Sequence, residues 1–294
     1  MENYYKYLPV SKEDELWGLH ILNTGFTRIE NPNSYPSKGH PQPYGFDWKT
    51  GRILQEYQLI YITRGEGMFE SKAAGKRTIS AGDIIFLFPG DKHSYKPAHP
   101  SGWNEYWVGF NGQIAENQVK TGFFIPPEPV ISIGVKPEII KLFEIIIDQT
   151  KTEKPAYQQY ISGVLMHILG SVYSLQKQST YALDDHISKL VIQATLLFRS
   201  NINRDVSPES VARELGIGYS LFRKTFKNYT GLAPGQYLIQ LKIEKAKQLL
   251  GDSTRPIKEI AYELNFDSVF YFSKLFKQKT GLSPQLYRNQ TKSS

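Results

Sequence analysis

IKEIAYELNFDSVFYFSKLFKQKTGLSPQLYR, residues 257–288, is the stretch on which the reading of the rest of the chain depends. Ile257, Ile260, Ala261 and Leu264 recur at i, i+3, i+4 and i+7, the single apolar face of a helix. Asn265 and Asp267 punctuate a turn, both being types that tolerate turn geometry. Ser268 is suited to cap the next helix. Phe272, Leu275 and Phe276 build a second apolar face, with Lys274, Lys277 and Lys279 mostly off it. Gly281 ends that helix and Pro284 prevents its return. Two short helices about a tight turn, the second with its basic side outward, form the pattern of a helix-turn-helix.

The same unit occurs earlier. Val211, Ala212, Glu214 and Leu215 match Ile260, Ala261, Glu263 and Leu264 at an offset of 49. Phe226, Lys227, Thr230, Gly231, Pro234 and Tyr237 match Phe276, Lys277, Thr280, Gly281, Pro284 and Tyr287 at an offset of 50. One extra residue in the second inter-helix turn accounts for the change. Duplication over such a length is a repeat, not coincidence.

These residues carry a resemblance. Ile257-x-x-Ile260-Ala261, Asn265-Phe266-Asp267-Ser268, the run from Tyr271 to Lys277, Thr280 to Pro284, and Tyr287-Arg288 resemble the signature of the AraC/XylS family of bacterial transcription regulators, over roughly residues 205–288. Three positions depart from it. Lys274 stands where members often carry Arg, Asn265 replaces the usual Gly of the second turn, and Lys242 replaces an Arg common in the linker helix. The departures are expected to bear on which bases are read.

Bulk properties agree. A chain of 294 residues is long enough for two domains with proper cores. Residues 185–294 hold seventeen Lys and Arg against nine Asp and Glu, a net of +8, while the remainder nets −1. A basic domain joined to a nearly neutral one suits a polyanion binder with a separate sensing module, though a solvated Lys-rich surface reads the same way. No apolar run is long enough for a membrane span, the N-terminus lacks signal-peptide order, and no cysteine is present. A cytoplasmic protein is the plain expectation.

Residues 1–55 are rich in Tyr, Pro, Gly and Asn and read as an arm with short strands and loops. From 57 to 110 the period becomes that of strands. Residues 57–62 form a buried strand that Gly65-Glu66-Gly67 should turn. Residues 68–71 and Thr78-Ile79 read as a hairpin, and 84–88 and 105–110 as further strands. This run, YQLIYITRGEG, AGDIIFLFPGDKHSY and WNEYWVGFNG, resembles the cupin-type effector domain found ahead of AraC-like DNA-binding repeats. The fold expected is therefore α+β with two domains. The first, 1–177, holds a cupin-like β-barrel (jelly roll) at about 15–115 and helices at about 136–177. A linker at 178–184 follows, then an all-α domain at 185–294 with two helix-turn-helix units joined by a linker helix. The stripes Ile139, Ile140, Phe143, Ile146, Ile147 and Ile161, Val164, Leu165, Ile168, Leu169 either cover the barrel or, as the resemblance implies, form a homodimer surface. Residues 234–250 read as one helix; about seventeen residues span roughly 25 Å, enough to present two recognition helices to successive major grooves about 34 Å apart on double-stranded DNA.

In the first recognition helix Phe222 and Phe226 face inward, leaving Tyr219, Ser220, Arg223, Lys224 and Lys227 outward. Arg223 suits a bidentate pairing with guanine; Lys227 suits phosphate, which adds affinity and little specificity. In the second, Ser268, Val269, Ser273, Lys274 and Lys277 are the DNA-binding candidates, with Val269 placed to touch a thymine methyl.

His93 invites a metal reading. Only six histidines exist, none in a His-x-His pair, so no metal, cofactor or catalytic set is called for. No phosphate loop or nucleophile elbow is present. Trp48, Arg52, Glu56, His93, Tyr95, Trp103, Glu105 and Trp107 instead fit a pocket in which flat rings cover apolar C–H patches and polar groups hold hydroxyls, although an aromatic strand equally builds plain core. The family resemblance places sugar-binding positions at Thr27, Tyr95, Glu105 and Trp107, with Glu105 where a sugar regulator has His. The function expected is a transcription activator gated by a small polar effector such as a sugar, working with RNA polymerase. A cupin-fold sugar-modifying enzyme fused to a DNA-binding domain, and an unliganded DNA-binding protein, are the competing readings.

Overall fold

A computed structural model describes residues 2–30, 35, 48–182, 185–252 and 255–292. His40 and the loop around it lie outside the described residues. The chain divides into two compact units, 1–180 and 181–294.

The first unit contains β1 (Tyr4–Tyr7), β2 (His20–Ile29), β3 (Tyr57–Ser71), β4 (Gly75–Ser80), β5 (Asp83–Leu87), β6 (His93–Pro97), β7 (Trp103–Asn111) and β8 (Val130–Ser132). Its helices are α1 (Lys12–Leu16), α2 (Gln113–Lys120), α3 (Pro137–Thr152) and α4 (Tyr157–Ala182). The pairing is antiparallel in the order β1-β2-β7-β3-β5-β8, with β4 and β6 also on β3. Among the described residues this path is open at β1 and β8, so the sheet does not close into the expected barrel. The reason lies in β3. Its first half pairs with β5 and β7, its second half with β4 and β6, so one strand serves two layers. Gly65 and Gly67 do not turn the chain back as expected; β3 runs through them for 15 residues. Gly67 instead leaves room for Trp103, since a Cβ there would lie 2.6 Å from the indole.

Side-chain alternation divides this sheet into two faces. Leu59, Tyr61, Tyr106, Val108 and Phe110 pack under α3 and α4 against Phe143, Ile146, Ile161, Leu165 and Ile168. Ile60, Ile62, Ile85, Leu87, Trp103 and Trp107 point the other way, towards Phe69, Ile79 and Tyr95 of the second layer. The isoleucine stripes of α3 and α4 therefore cover the sheet; Tyr160 and Met166 remain exposed on α4. The expected linker is helical through Ala182. No helix among the described residues is long and apolar enough to cross a membrane.

The second unit contains α5 (Asp185–Ser200), α6 (Pro208–Glu214), α7 (Tyr219–Thr230), α8 (Pro234–Asp252), α9 (Ile257–Glu263), α10 (Val269–Thr280) and α11 (Pro284–Lys292). The sequence repeat is a repeat of hydrogen bonds. Thr230 Oγ1 bonds the Phe226 carbonyl at 2.8 Å, and Thr280 Oγ1 the Phe276 carbonyl at 2.8 Å. Phe226 meets Tyr237 edge-on at 5.3 Å, and Phe276 meets Tyr287 at 5.4 Å. The α6–α7 turn bends at Gly216, φ +67°, and the α9–α10 turn at Asn265, φ +52°. Asn is one of the few residues besides Gly that enter this region readily, so Asn265 keeps the turn that Gly makes in the first unit. Leu238 of α8 belongs to the core of the first helix-turn-helix, Ala246 and Leu250 to that of the second.

Candidate effector pocket and DNA-reading surface

The candidate site is built on registered rows across β2, β7 and β3. Asn23 lies opposite Gly109 and Gln58; Gly25 opposite Trp107 and Ile60; Thr27 opposite Glu105 and Ile62. All face the second layer. Gly25 is required by Trp107: a Cβ would sit 2.4 Å from the indole. From the facing layer come His93 and Tyr95 of β6. Arg52 joins them through a backbone bridge to His93, with N···O distances of 2.8 and 3.0 Å.

The Arg52 side chain gathers this set. Its Nη2 donates to the Tyr95 hydroxyl at 2.7 Å and to Gln58 Oε1 at 3.4 Å, and its Nε donates to His93 Nε2 at 3.2 Å. Gln58 Nε2 donates to Asn23 Oδ1 at 3.2 Å and to Glu56 Oε1 at 3.3 Å, and Asn23 Nδ2 donates to Glu56 Oε1 at 2.6 Å. On the other side the Tyr35 hydroxyl donates to Glu105 Oε2 at 3.3 Å. Tyr35 rests edge-on to Trp103 at 5.8 Å and tilted on Tyr95 at 6.0 Å. Asn23, Thr27, Glu56, Gln58, His93, Tyr95, Trp103, Glu105 and Trp107 are all buried, and Arg52 is half-buried.

Burial sets the protonation of the site. Desolvation pushes the Glu105 carboxyl up from 4.5 to about 8, against the Tyr35 hydroxyl and the Arg52 cation, which favour the carboxylate. Desolvation, helped by Arg52, lowers His93 from 6.5 to about 4. His93 is thus neutral at pH 7. Because Nε2 accepts from Arg52, its proton lies on Nδ1, 2.9 Å from the Asp91 carbonyl. Desolvation raises Tyr95 to about 12. The arrangement sets neutral and charged hydrogen-bonding groups beside Trp103 and Trp107 between the two layers. Among the described residues no group of three or more His, Asp or Glu is placed to hold a metal ion.

The structure brings the ligand-binding candidates Thr27, Arg52, Glu56, His93, Tyr95, Trp103, Glu105 and Trp107 into one region between the layers. Trp48 is half-buried with Lys96 Nζ over its ring at 4.8 Å. Sequence reasoning missed Asn23, Gln58 and Tyr35. The first two carried a signal: an amide at an inward position of an otherwise apolar strand must have buried partners.

On the second unit, Tyr219, Ser220, Arg223, Lys224 and Lys227 of α7 are exposed, as are Lys274 and Lys277 of α10. Three other α10 candidates are less open than the lysines. Val269 is half-buried and packs on the core. Ser268 caps α10, accepting from the Tyr271 N–H at 3.1 Å. Ser273 is half-buried. The residue with the open position is Phe270, 80 % exposed. Lys242 and Asn265 were expected to affect base reading; Lys242 instead sits 8 % exposed inside the unit and donates to the Asn265 carbonyl.

Comparison with known proteins follows the same division. A model described as an AraC-like ligand binding domain matches residues 31–169, and one described as a helix-turn-helix domain matches residues 211–290. The lactose operon transcription activator of Staphylococcus xylosus is 25 % identical over 81 % of this chain and 85 % of its own. The MmsAB operon regulatory protein of Pseudomonas aeruginosa is 25 % identical over 81 % of this chain and 76 % of its own. The arabinose operon regulatory protein of Salmonella typhimurium is 26 % identical over 91 % of this chain and 92 % of its own.

Proposed function

Because this chain belongs to the AraC family of transcription regulators, with a ligand-binding domain followed by a DNA-binding one, we propose that it is a transcription activator gated by a small polar effector, a sugar. One observation carries the effector reading. Between the two layers lie buried Asn23, Glu56, Gln58 and His93, joined through Arg52, and buried Glu105, bonded to Tyr35, with Trp103 and Trp107 beside them. A polar network of this size between two otherwise apolar faces supports the reading because its donors and acceptors are the kind of groups that orient a polar ligand. Relatives named for lactose and arabinose operons point to the same ligand class.

In this reading the helix-turn-helix units place α7 and α10 in successive major grooves, and two copies of the chain pair through exposed sides of α3 and α4. The effector changes how the DNA-binding units of the pair are set on the operator and how they meet RNA polymerase. A thermal-shift screen over mono- and disaccharides tests the effector. A ligand that binds only the folded state raises its melting temperature by mass action. The proposal requires a hit whose shift is lost in Trp107→Ala. A panel without hits, or a hit indifferent to Trp107, counts against it.

A further inference from the structure

The two recognition helices are not chemically equivalent. In α7 the residues at i, i+4 and i+7 on the outward stripe are Ser220, Lys224 and Lys227, all exposed. At an offset of 50 the stripe of α10 is Phe270, Lys274 and Lys277. A hydroxyl in one helix is thus replaced by a phenyl ring in the other, one residue inside the N-terminus of α10. That ring is 80 % exposed. Its neighbours are accounted for: Val269 packs on the core, and Tyr271 leans on Phe266 with ring centroids 6.3 Å apart. Phe272 and Phe276 fill the inner face and are fully buried. At that exposure the ring is free to meet a group outside the unit.

The position says what the contact is. The N-terminal residues of a recognition helix meet base edges in the major groove. The only apolar group displayed there is the C5-methyl of thymine. We propose that Phe270 is a specificity-determining residue that reads thymine methyls in the second half of the DNA site, while α7 reads its half through the polar edge contacts of Arg223. The flanking Lys274 and Lys277 hold phosphate and fix the depth of α10 without choosing a sequence. This rests on α10 entering the major groove, as in the proposed function.

The test uses the full chain. Wild type selects its preferred duplex from a pool with a randomised central segment. Each thymine of that duplex is then replaced in turn by deoxyuridine, which removes only the methyl. The expected result is that one or two thymines in one half of the site each lose about fourfold in affinity, the value of one buried carbon group. In Phe270→Ala those same replacements have no effect, and the thymine duplex binds about as weakly as the uracil duplex binds wild type. Lys274→Ala should weaken thymine and uracil duplexes equally. A Phe270→Ala protein that melts like wild type and keeps the wild-type methyl profile, or its affinity, overturns the assignment. Wild type selecting no duplex at all would overturn the DNA-binding reading beneath it, a separate failure.

Discussion

Lys242 Nζ donates a 3.0 Å hydrogen bond to the Asn265 carbonyl, tying the helix between the two repeats to the turn of the second. The ammonium lies 5.3 Å from the Phe266 ring centroid, and burial lowers its pKa. Asn265, held at φ +52°, is the residue that turns the chain between α9 and α10. Two positions that differ from the family pattern therefore form one joint, with the amine of one holding the backbone of the other.

The joint has two parts, a buried aliphatic stem and a buried charge. Lys242→Met keeps the stem and removes the charge. The lost hydrogen bond is offset by the desolvation no longer incurred, so unfolding free energy should stay within about 1 kcal/mol of wild type. Lys242→Ala removes the stem as well and should cost about 1–3 kcal/mol. Urea titrations of both variants, followed by circular dichroism, check this. A Met variant as unstable as the Ala variant would assign the joint to the hydrogen bond.

Glu105 makes stability depend on pH in an unusual direction. Its folded pKa, about 8, lies above the ordinary 4.5. Between those values the folded state holds a proton that the unfolded chain has released. Its contribution is therefore full below pH 4.5 and is lost as pH rises through 8. Glu105→Gln is neutral throughout. The stability of wild type minus that of Glu105→Gln should fall between pH 4.5 and 8 by at most about 5 kcal/mol. His93 acts oppositely, losing stability as pH falls from 6.5 towards 4, but it is common to both proteins and cancels in the difference. A difference that is flat or rising over this window contradicts a buried, protonated Glu105.

What was legible in the sequence, and what was not, follows from the range of the interactions. The second unit could be read almost residue by residue because helix faces, caps and turns are local. Phe222 and Phe226 had to face inward, and Thr230 and Thr280 end their helices with matching bonds. The first unit depends on which strands pair, and nothing local says that β3 serves two layers. Gly65 and Gly67 look like a turn in sequence; they are the places where a strand passes Gly102 and Trp103 too closely for any side chain. The pocket's aromatics were visible as a cluster. Asn23 was not, because its partner Glu56 lies 33 positions away. Phe270 was not singled out, because in a run of four apolar residues, 269–272, the pattern alone does not say which one the helix leaves open.

Arg223 and Lys227 should separate specificity from affinity. Both are exposed on α7, Arg223 nearer its N-terminus. Arg223→Ala should cost about 1–3 kcal/mol on the cognate duplex and little on random DNA, relaxing choice at one position. Lys227→Ala should weaken all duplexes alike and reduce the slope of affinity against salt by about one unit. Fluorescence anisotropy on cognate and random duplexes over a salt series checks both. Equal losses on the two duplexes for Arg223→Ala would assign it to phosphate.

Gating supplies the last prediction. If an effector held between the layers alters DNA binding, the two ligands must be coupled, and coupling is reciprocal. The factor by which effector changes affinity for the operator is the factor by which operator changes affinity for the effector. Such factors correspond to about 1–3 kcal/mol, set by how differently the effector binds the arrangements that the protein adopts. Calorimetric titration of the best sugar from the thermal screen, with and without a saturating selected duplex, should therefore show a shift of about five- to 150-fold. Anisotropy titrations of the duplex with and without the sugar should give the same factor. Trp107→Ala should abolish the sugar's effect while leaving duplex affinity at its sugar-free value, since Trp107 belongs to the first unit. A sugar that binds between the layers with no coupling to DNA would refute gating of DNA affinity. The effector would then have to act after binding, on the contact with RNA polymerase, and transcription from purified components would rise with sugar at an already saturated operator.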